Sequence, residues 1–335
     1  MTPALARFWG LTAGILPVFA FLLALKLLDT FRLVRPRQIA VAVGWGGLAG
    51  LAALGLNAGL FEATGPQWYA KFGAPWVEEA LKAIWLVVLI RAERVAFLVD
   101  AAICGFAVGA GFALVENLAY LEQLLGGGIA LWVLRGFGTA VMHGGAAAIV
   151  GVVAIGLRRS GRWLAMVAGL AVAIGVHTLW DMGVLTPLAA SLTVVLGLPP
   201  LFVLIFERSE KALHTWMGQK LNQDVELLEM LTTGNFLETP AGSYLRSLNA
   251  FAPEVLGDMV CLLQVSSELS AAAKGERIRQ WAGLPVAADS ELEAKLRELE
   301  FLEKSVGLAG LHALAPILPL SSRDRWELQE LQARR

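Results

Sequence analysis

PWVEEALKAIWLVVLI, residues 75–90, decides how this chain is read. The stretch is apolar and helical in pattern, yet it carries Glu78, Glu79 and Lys82. A charge near the bilayer centre costs roughly 2.5–3.5 kcal/mol even on lenient insertion scales, so such residues are rare and mark pathways, relays or reaction sites. Three further apolar stretches repeat the anomaly. Residues 103–121 contain Glu116, residues 135–156 contain His143, and residues 164–185 contain His177 and Asp181. The fold expected is all-α: a polytopic membrane helix bundle with a buried polar site, and hydrolysis is the first chemistry to expect of it.

Outward from these stretches, the rest of the composition agrees. Mean hydropathy is +0.64. Only 16% of the 335 residues are charged, against roughly 25% in ordinary soluble domains. A net charge of −1 gives no basic footprint for nucleic acid. Cys104 and Cys261 match no disulfide framework or zinc pattern and read as buried free thiols. Residues 1–206 hold 22 of the 55 Asp, Glu, Lys and Arg, while the shorter remainder holds 33. That shift divides the chain into a transmembrane domain, 1–206, and a soluble helical domain, 207–335.

A span needs about 20 mostly apolar residues. The pattern predicts about seven: 8–28, 39–60, 76–90, 97–121, 129–157, 163–183 and 187–206. The first reads as a retained helix rather than a signal peptide, because it is long, lacks a small-residue cleavage site and is preceded only by Arg7. Basic residues crowd alternate connections: Lys26, Arg32, Arg35 and Arg37, then Arg91 and Arg94, then Arg158, Arg159 and Arg162, then Arg208 and Lys211. By the positive-inside rule the N-terminus lies outside and residues 207–335 are cytoplasmic, as in a multi-pass protein of a cell (inner) membrane. Trp68, Tyr69 and Trp76 sit where an aromatic belt forms. In that orientation Glu78, Glu79, Lys82, Glu116, His177 and Asp181 all fall in the outer half of the bilayer, with His143 somewhat deeper.

Spacing sharpens the picture. Glu78 and Lys82 are four apart and are expected to pair, while Glu79 points about 100° away with no partner in sequence. Phe112, Glu116 and Tyr120 form one column, with Asn117 beside it. His177 and Asp181 are four apart, a spacing at which a carboxylate fixes an imidazole tautomer. His143 precedes Gly144, Gly145 and a run of alanines, which permits close helix approach. Intramembrane Glu, His and Asp also build proton relays, so a proton-coupled transporter or channel is the rival class. An inert scaffold carrying a regulatory domain is a third. Transporters favour internal repeats and midplane sites, and neither is evident here.

Glu78-Glu79-Ala80-Leu81-Lys82, then Phe112 to Glu116, then His177 to Asp181, in this order on successive helices, resemble the PrsW-type intramembrane proteases, relatives of the CAAX prenyl endopeptidases. His143 occupies the place of the histidine such proteins carry between the second and third motifs. Ala147 departs from the Thr that relatives often have there. The resemblance covers roughly residues 70–190. It implies cleavage of membrane-anchored protein substrates, in some members an anti-sigma factor cut on its extracytoplasmic side. Two mechanisms stay open. In one, Glu116, His143 and His177 bind a zinc-like ion, Glu79 or Glu78 takes a proton from water, and Asp181 orients His177. The set Glu78, Glu79, Lys82, Glu116, Arg135 and Asp181 sums to −2 with neutral histidines, which a divalent cation would neutralise. In the other, a glutamate activates water without metal and a histidine stabilises the oxyanion. Two histidines and a glutamate at one depth favour the metal.

Residues 207–335 read as a small helical bundle. Residues 221–231 are amphipathic, Ser290 opens a periodic run closed by Gly307, and Asp324 begins a last short helix. His214 and His312 read as surface or boundary residues. The expected role is binding a regulator or dimerising.

Overall fold

The computed structural model describes residues 3–29, 33–124, 128–158, 161–249, 251–281, 284 and 290–318. Among them there is helix and no strand. The principal helices are α1 (Pro3–Leu27), α2 (Pro36–Thr64), α3 (Ala74–Arg91), α4 (Leu98–Ala119), α5 (Gly128–Leu134), α6 (Val141–Gly156), α7 (Arg162–Asp181), α8 (Pro187–Thr232), α9 (Pro240–Ser247), α10 (Pro253–Trp281) and α11 (Ser290–Leu314). Two π-helical turns interrupt them. Tyr69–Gly73 leads into α3, and Arg135–Ala140 joins α5 to α6. The chain divides into two compact units, Met1–Glu210 and Lys211–Arg335. Residues of α8 belong to both.

Seven helical stretches are long and apolar enough to cross a membrane: Ala4–Leu27, Pro36–Ala63, Leu98–Ala119, Gly128–Gly156, Arg162–Asp181, Pro187–Ala212 and Pro253–Glu276. Six coincide with expected spans. The set differs from the expectation at one position. Residues 76–90 do form a helix, α3, but with Glu78, Glu79, Lys82 and Arg91 it is more densely charged than the other six. Pro253–Glu276 is apolar and long enough instead. Its apolar side chains already have a protein partner: Met259, Leu262, Leu263 and Leu269 of α10 bury against Leu296, Leu299 and Leu302 of α11.

In the first unit α4 is the hub. It packs on α2 and on α6, and α6 in turn packs on α7. Sixteen of its residues are buried, Asp100 and Asn117 among them. Small residues make this possible. A Cβ at Gly46 would stand 1.9 Å from the Val108 carbonyl oxygen, and one at Gly109 would stand 2.2 Å from that of His143. These helices therefore meet backbone to backbone, as membrane helices do where small residues line the contact. Asp100 fixes the start of α4 by accepting from the amides of Ala96 and Phe97 at 2.8 and 2.9 Å, which satisfies donors that have no helical partner. Trp45 of α2 donates its indole N–H to the Leu81 carbonyl at 3.3 Å and stacks on Trp85, so α3 lies firmly against α2.

The second unit has its own core, built around Phe236, Leu245, Met259, Leu263, Leu299 and Leu314. Lys274 is fully buried there and donates to Asp224 at 2.8 Å and to Ser270 at 2.5 Å. Gly307 does not close the helix that Ser290 begins. It adopts φ 67° and kinks the helix, which continues to Leu314. Cys104 is buried as expected; Cys261 is not, because it stands on the exposed side of α10, and His312 is exposed too. The short helix expected at Asp324 and the side chain of His214 lie outside the described residues.

Candidate functional site

α3 delivers its charges to the interior. Glu79 and Lys82 are both fully buried. Lys82 Nζ bonds Glu79 Oε1 at 2.5 Å, so the expected pairing of Lys82 with Glu78 is replaced by the i, i+3 alternative. Both spacings share a helix face. The rotation of α3 decides between them, and it turns Glu79 inward. Glu79 is thus far from partnerless: Oε1 also accepts from His177 Nδ1 at 2.8 Å. Its Oε2 is buried with no hydrogen-bond partner among the described residues. Lys82 Nζ reaches His143 Nδ1 at 3.0 Å and lies 4.4 Å from the Phe112 ring centre.

Glu78 faces the other way. Asn57 of α2 donates to its Oε1 at 3.1 Å, and the Tyr69 hydroxyl donates to Asn57 Oδ1 at 2.8 Å. Glu78 Oε2 is left facing His177 Nε2 at 3.8 Å. From α4, Glu116 Oε2 bonds His143 Nε2 at 2.9 Å. The two imidazoles meet edge to face with centres 4.8 Å apart. Asp181 Oδ2 lies 3.5 Å from His177 Nε2. Asp181 was expected to orient His177; the shorter contact to that ring comes instead from Glu79, on Nδ1, while Asp181 stands on the Nε2 side.

Glu78, Glu116, His143, His177 and Asp181 all line one cavity of about 920 Å³, together with Lys71, Asn57 and Tyr120. Residues from α2, α3, α4, α6 and α7 therefore share a single chamber; the depths read from the sequence had brought together only the ionisable residues of the last four. Glu79 and Lys82 stand behind its wall.

The chamber fits a cation by its donor chemistry. One ligand atom each from Glu78, His143 and His177 lie within 4.8 Å of one another. The set expected from the sequence was Glu116, His143 and His177; the geometry gathers Glu78 in the place of Glu116. Donors on a tetrahedral zinc sit about 2.0–2.2 Å from the ion, so these three need to move inward by about an ångström. His177 is preset for that role, since its Nδ1 is held by a carboxylate and its Nε2 looks into the cavity. His143 Nε2 must exchange its bond to Glu116 for the ion. Three carboxylates line the chamber, Glu78, Glu116 and Asp181, against one lysine, Lys71, and a divalent cation offsets that excess.

Two supports escaped the sequence reading: Asn57 holds Glu78, and Tyr69 holds Asn57. Arg135, counted there only for its charge, lies 3.5 Å from Glu116. Asn57 lies alone in the apolar run 39–60 and could have been singled out on that ground; Tyr69 looked like a belt residue, and nothing in its spacing tied it to Asn57.

A family model, PrsW-protease, described as PrsW family intramembrane metalloprotease, matches residues 35–205. No curated protein and no solved structure matches the chain. The metal-free alternative finds no support, since the matched family is one of metalloproteases.

Proposed function

The chain belongs to the PrsW family of intramembrane metalloproteases, and from that premise we propose that the shared chamber is its reaction centre, with Glu78, His143 and His177 as the cation's ligands. The observation that carries this reading is the convergence of carboxylates and imidazoles from four helices on one cavity of about 920 Å³. A bound divalent cation would acidify a water molecule and polarise the scissile carbonyl.

The chain's own residues do the rest. Glu79 accepts the Nδ1 proton of His177 and so keeps Nε2 free for a ligand bond. Lys82 neutralises Glu79 and supports His143 from behind. Asn57 holds one oxygen of Glu78 and leaves the other to bind. Glu116 lines the cavity without belonging to the closest three-donor group. Its carboxylate takes the proton of the attacking water and returns it to the leaving amine, the general acid–base role. The sequence suggested Glu79 or Glu78 for that task; Glu79 lies behind the wall and serves as the orienting carboxylate, and Glu78 is a ligand.

The protein is a multi-pass membrane protease. The proposed substrates are membrane-anchored proteins cut near the extracytoplasmic face of an inner membrane. The distribution of Lys and Arg over the connections supports that orientation, and Trp68 and Trp76, exposed beside the π-helical turn, suit a membrane boundary there. Residues 207–335 are proposed as a cytoplasmic module that binds a regulator or dimerises. The test is co-expression with tagged single-span reporters and proteomic mapping of new fragment ends. Cleavage near the outer face, lost in Glu78→Gln and His177→Ala, supports the proposal. Cleavage unchanged in both variants, or fragment ends on the cytoplasmic side, overturns it.

A further inference from the structure

Arg135 opens the π-helical turn Arg135–Ala140 between α5 and α6. A π-turn inserts a residue into a helix, and such turns occur often at functional sites. Arg135 belongs to none of the three motifs that relate the chain to its family. It is nonetheless a cation within an apolar crossing, Gly128–Gly156, where charged residues are rare and are found paired.

Its guanidinium bridges two successive residues of α4. Arg135 Nε donates to Asn117 Oδ1 at 2.9 Å. Arg135 Nη2 lies 3.5 Å from Glu116 Oε2, the oxygen that bonds His143. The plane lies over the Tyr120 ring, 4.7 Å from its centre. Asn117, buried, passes the connection on by donating Nδ2 to the Gly14 carbonyl of α1 at 2.9 Å. Glu116 and Asn117 point in different directions because successive helical residues diverge by about 100°. One planar fork spans both, which the point charge of a lysine cannot do.

We infer that Arg135 is a positioning residue: braced by Asn117, Tyr120 and α1, it holds the Glu116 carboxylate in the chamber against His143. Resting on the chamber being the reaction centre, this adds to it a support from outside the recognised motifs. It also makes α1, which precedes the matched residues 35–205, part of the catalytic unit. Nη2 is buried and, at its present distance from Glu116, has no hydrogen-bond partner among the described residues. A small shift of the carboxylate closes that gap, so Arg135 keeps hold of Glu116 when His143 releases it.

The test uses the full chain purified in detergent, with kcat and KM measured separately on a membrane-anchored reporter. Arg135→Gln is expected to lower kcat about 10- to 100-fold, the range that follows from misplacing a catalytic group by about an ångström, with KM within about twofold. Arg135→Lys restores the charge and recovers part of kcat. On top of Glu116→Gln, Arg135→Gln changes kcat no further. Thermal unfolding of the same four-variant cycle must be non-additive, as for groups in contact. Wild-type kcat in Arg135→Gln overturns the inference, and so do strictly additive melting shifts. If Arg135→Gln fails to fold, Arg135→Lys decides: folded with partial kcat supports the role, folded with wild-type kcat and KM overturns it. The melting cycle is read whether or not cleavage occurs. Absence of cleavage by wild type with an intact cycle would therefore refute the protease site and leave the brace standing.

Discussion

Gly109→Ala is the perturbation whose consequence follows most directly from the coordinates. The added Cβ would stand 2.2 Å from the His143 oxygen, 2.5 Å from its carbonyl carbon and 2.6 Å from Gly144 Cα. All three are backbone atoms, so no side-chain rotation relieves the clash. Carbon–oxygen contacts settle near 3.3–3.6 Å. α4 and α6 must therefore separate by about 1 Å where His143 leaves α6. That displacement stretches the 2.9 Å bond from His143 to Glu116 and the 3.0 Å contact with Lys82 beyond hydrogen-bond range. Misplacement by about an ångström costs on the order of 100-fold in rate, and overpacking a tight contact costs about 1–3 kcal/mol of stability. The assay is cleavage of a single-span reporter by purified variants, paired with thermal unfolding. Gly175→Ala is the control, since a Cβ at Gly175 meets nothing within 4 Å; it should keep wild-type turnover. Gly105→Ala presses on Ala147, one turn farther along, at 2.5 Å, and should destabilise while reducing kcat less. If Gly109→Ala turned over like Gly175→Ala, the claim that backbone contact between α4 and α6 sets the position of His143 would be wrong.

Glu79→Gln removes the charge that Lys82 and His177 share, and should weaken metal affinity about 10- to 100-fold, the usual cost of losing a ligand-orienting carboxylate; calorimetric titration with Zn²⁺ measures it. Asn57→Ala frees Glu78 from its anchor and should weaken Zn²⁺ binding by the same mechanism without touching the histidines, whereas Tyr69→Phe, one bond farther out, should do so less. In the second unit, Lys274→Ala leaves Asp224 without its partner, and should cost about 2–3 kcal/mol in denaturant unfolding, below the 3–5 kcal/mol of a fully buried pair because Asp224 reaches solvent.

Much of this molecule could be read before its coordinates, and the reasons are specific. Six spans were legible because each is an apolar run of about 20 residues, the length a membrane crossing needs. The chamber was legible because Glu116, His143, His177 and Asp181 each pay a desolvation cost that only a shared site explains. The wiring inside the chamber was not. Lys82 has a carboxylate at both i−3 and i−4, and helical spacing ranks them equally; the packing of Trp45 on α3 settles the rotation that selects Glu79. His177 likewise has Asp181 four residues on, but a carboxylate from a different helix arrives first. Such choices belong to tertiary contacts between helices, which no periodicity within one helix encodes. The stretch 253–276 shows the converse: composition alone qualifies it as a span, and only its packing against α11 reveals where its apolar face goes.

The central claim is that two imidazoles and a carboxylate from three helices hold one divalent cation in this chamber. X-ray absorption on the purified protein loaded with Zn²⁺ tests it most directly. The account predicts one ion per chain, with scattering from two histidine imidazoles and oxygen donors at about 2.0–2.2 Å, and loss of one imidazole in His177→Ala. A bound ion without imidazole scattering, or a spectrum that His177→Ala and Glu78→Ala leave unchanged, would contradict it.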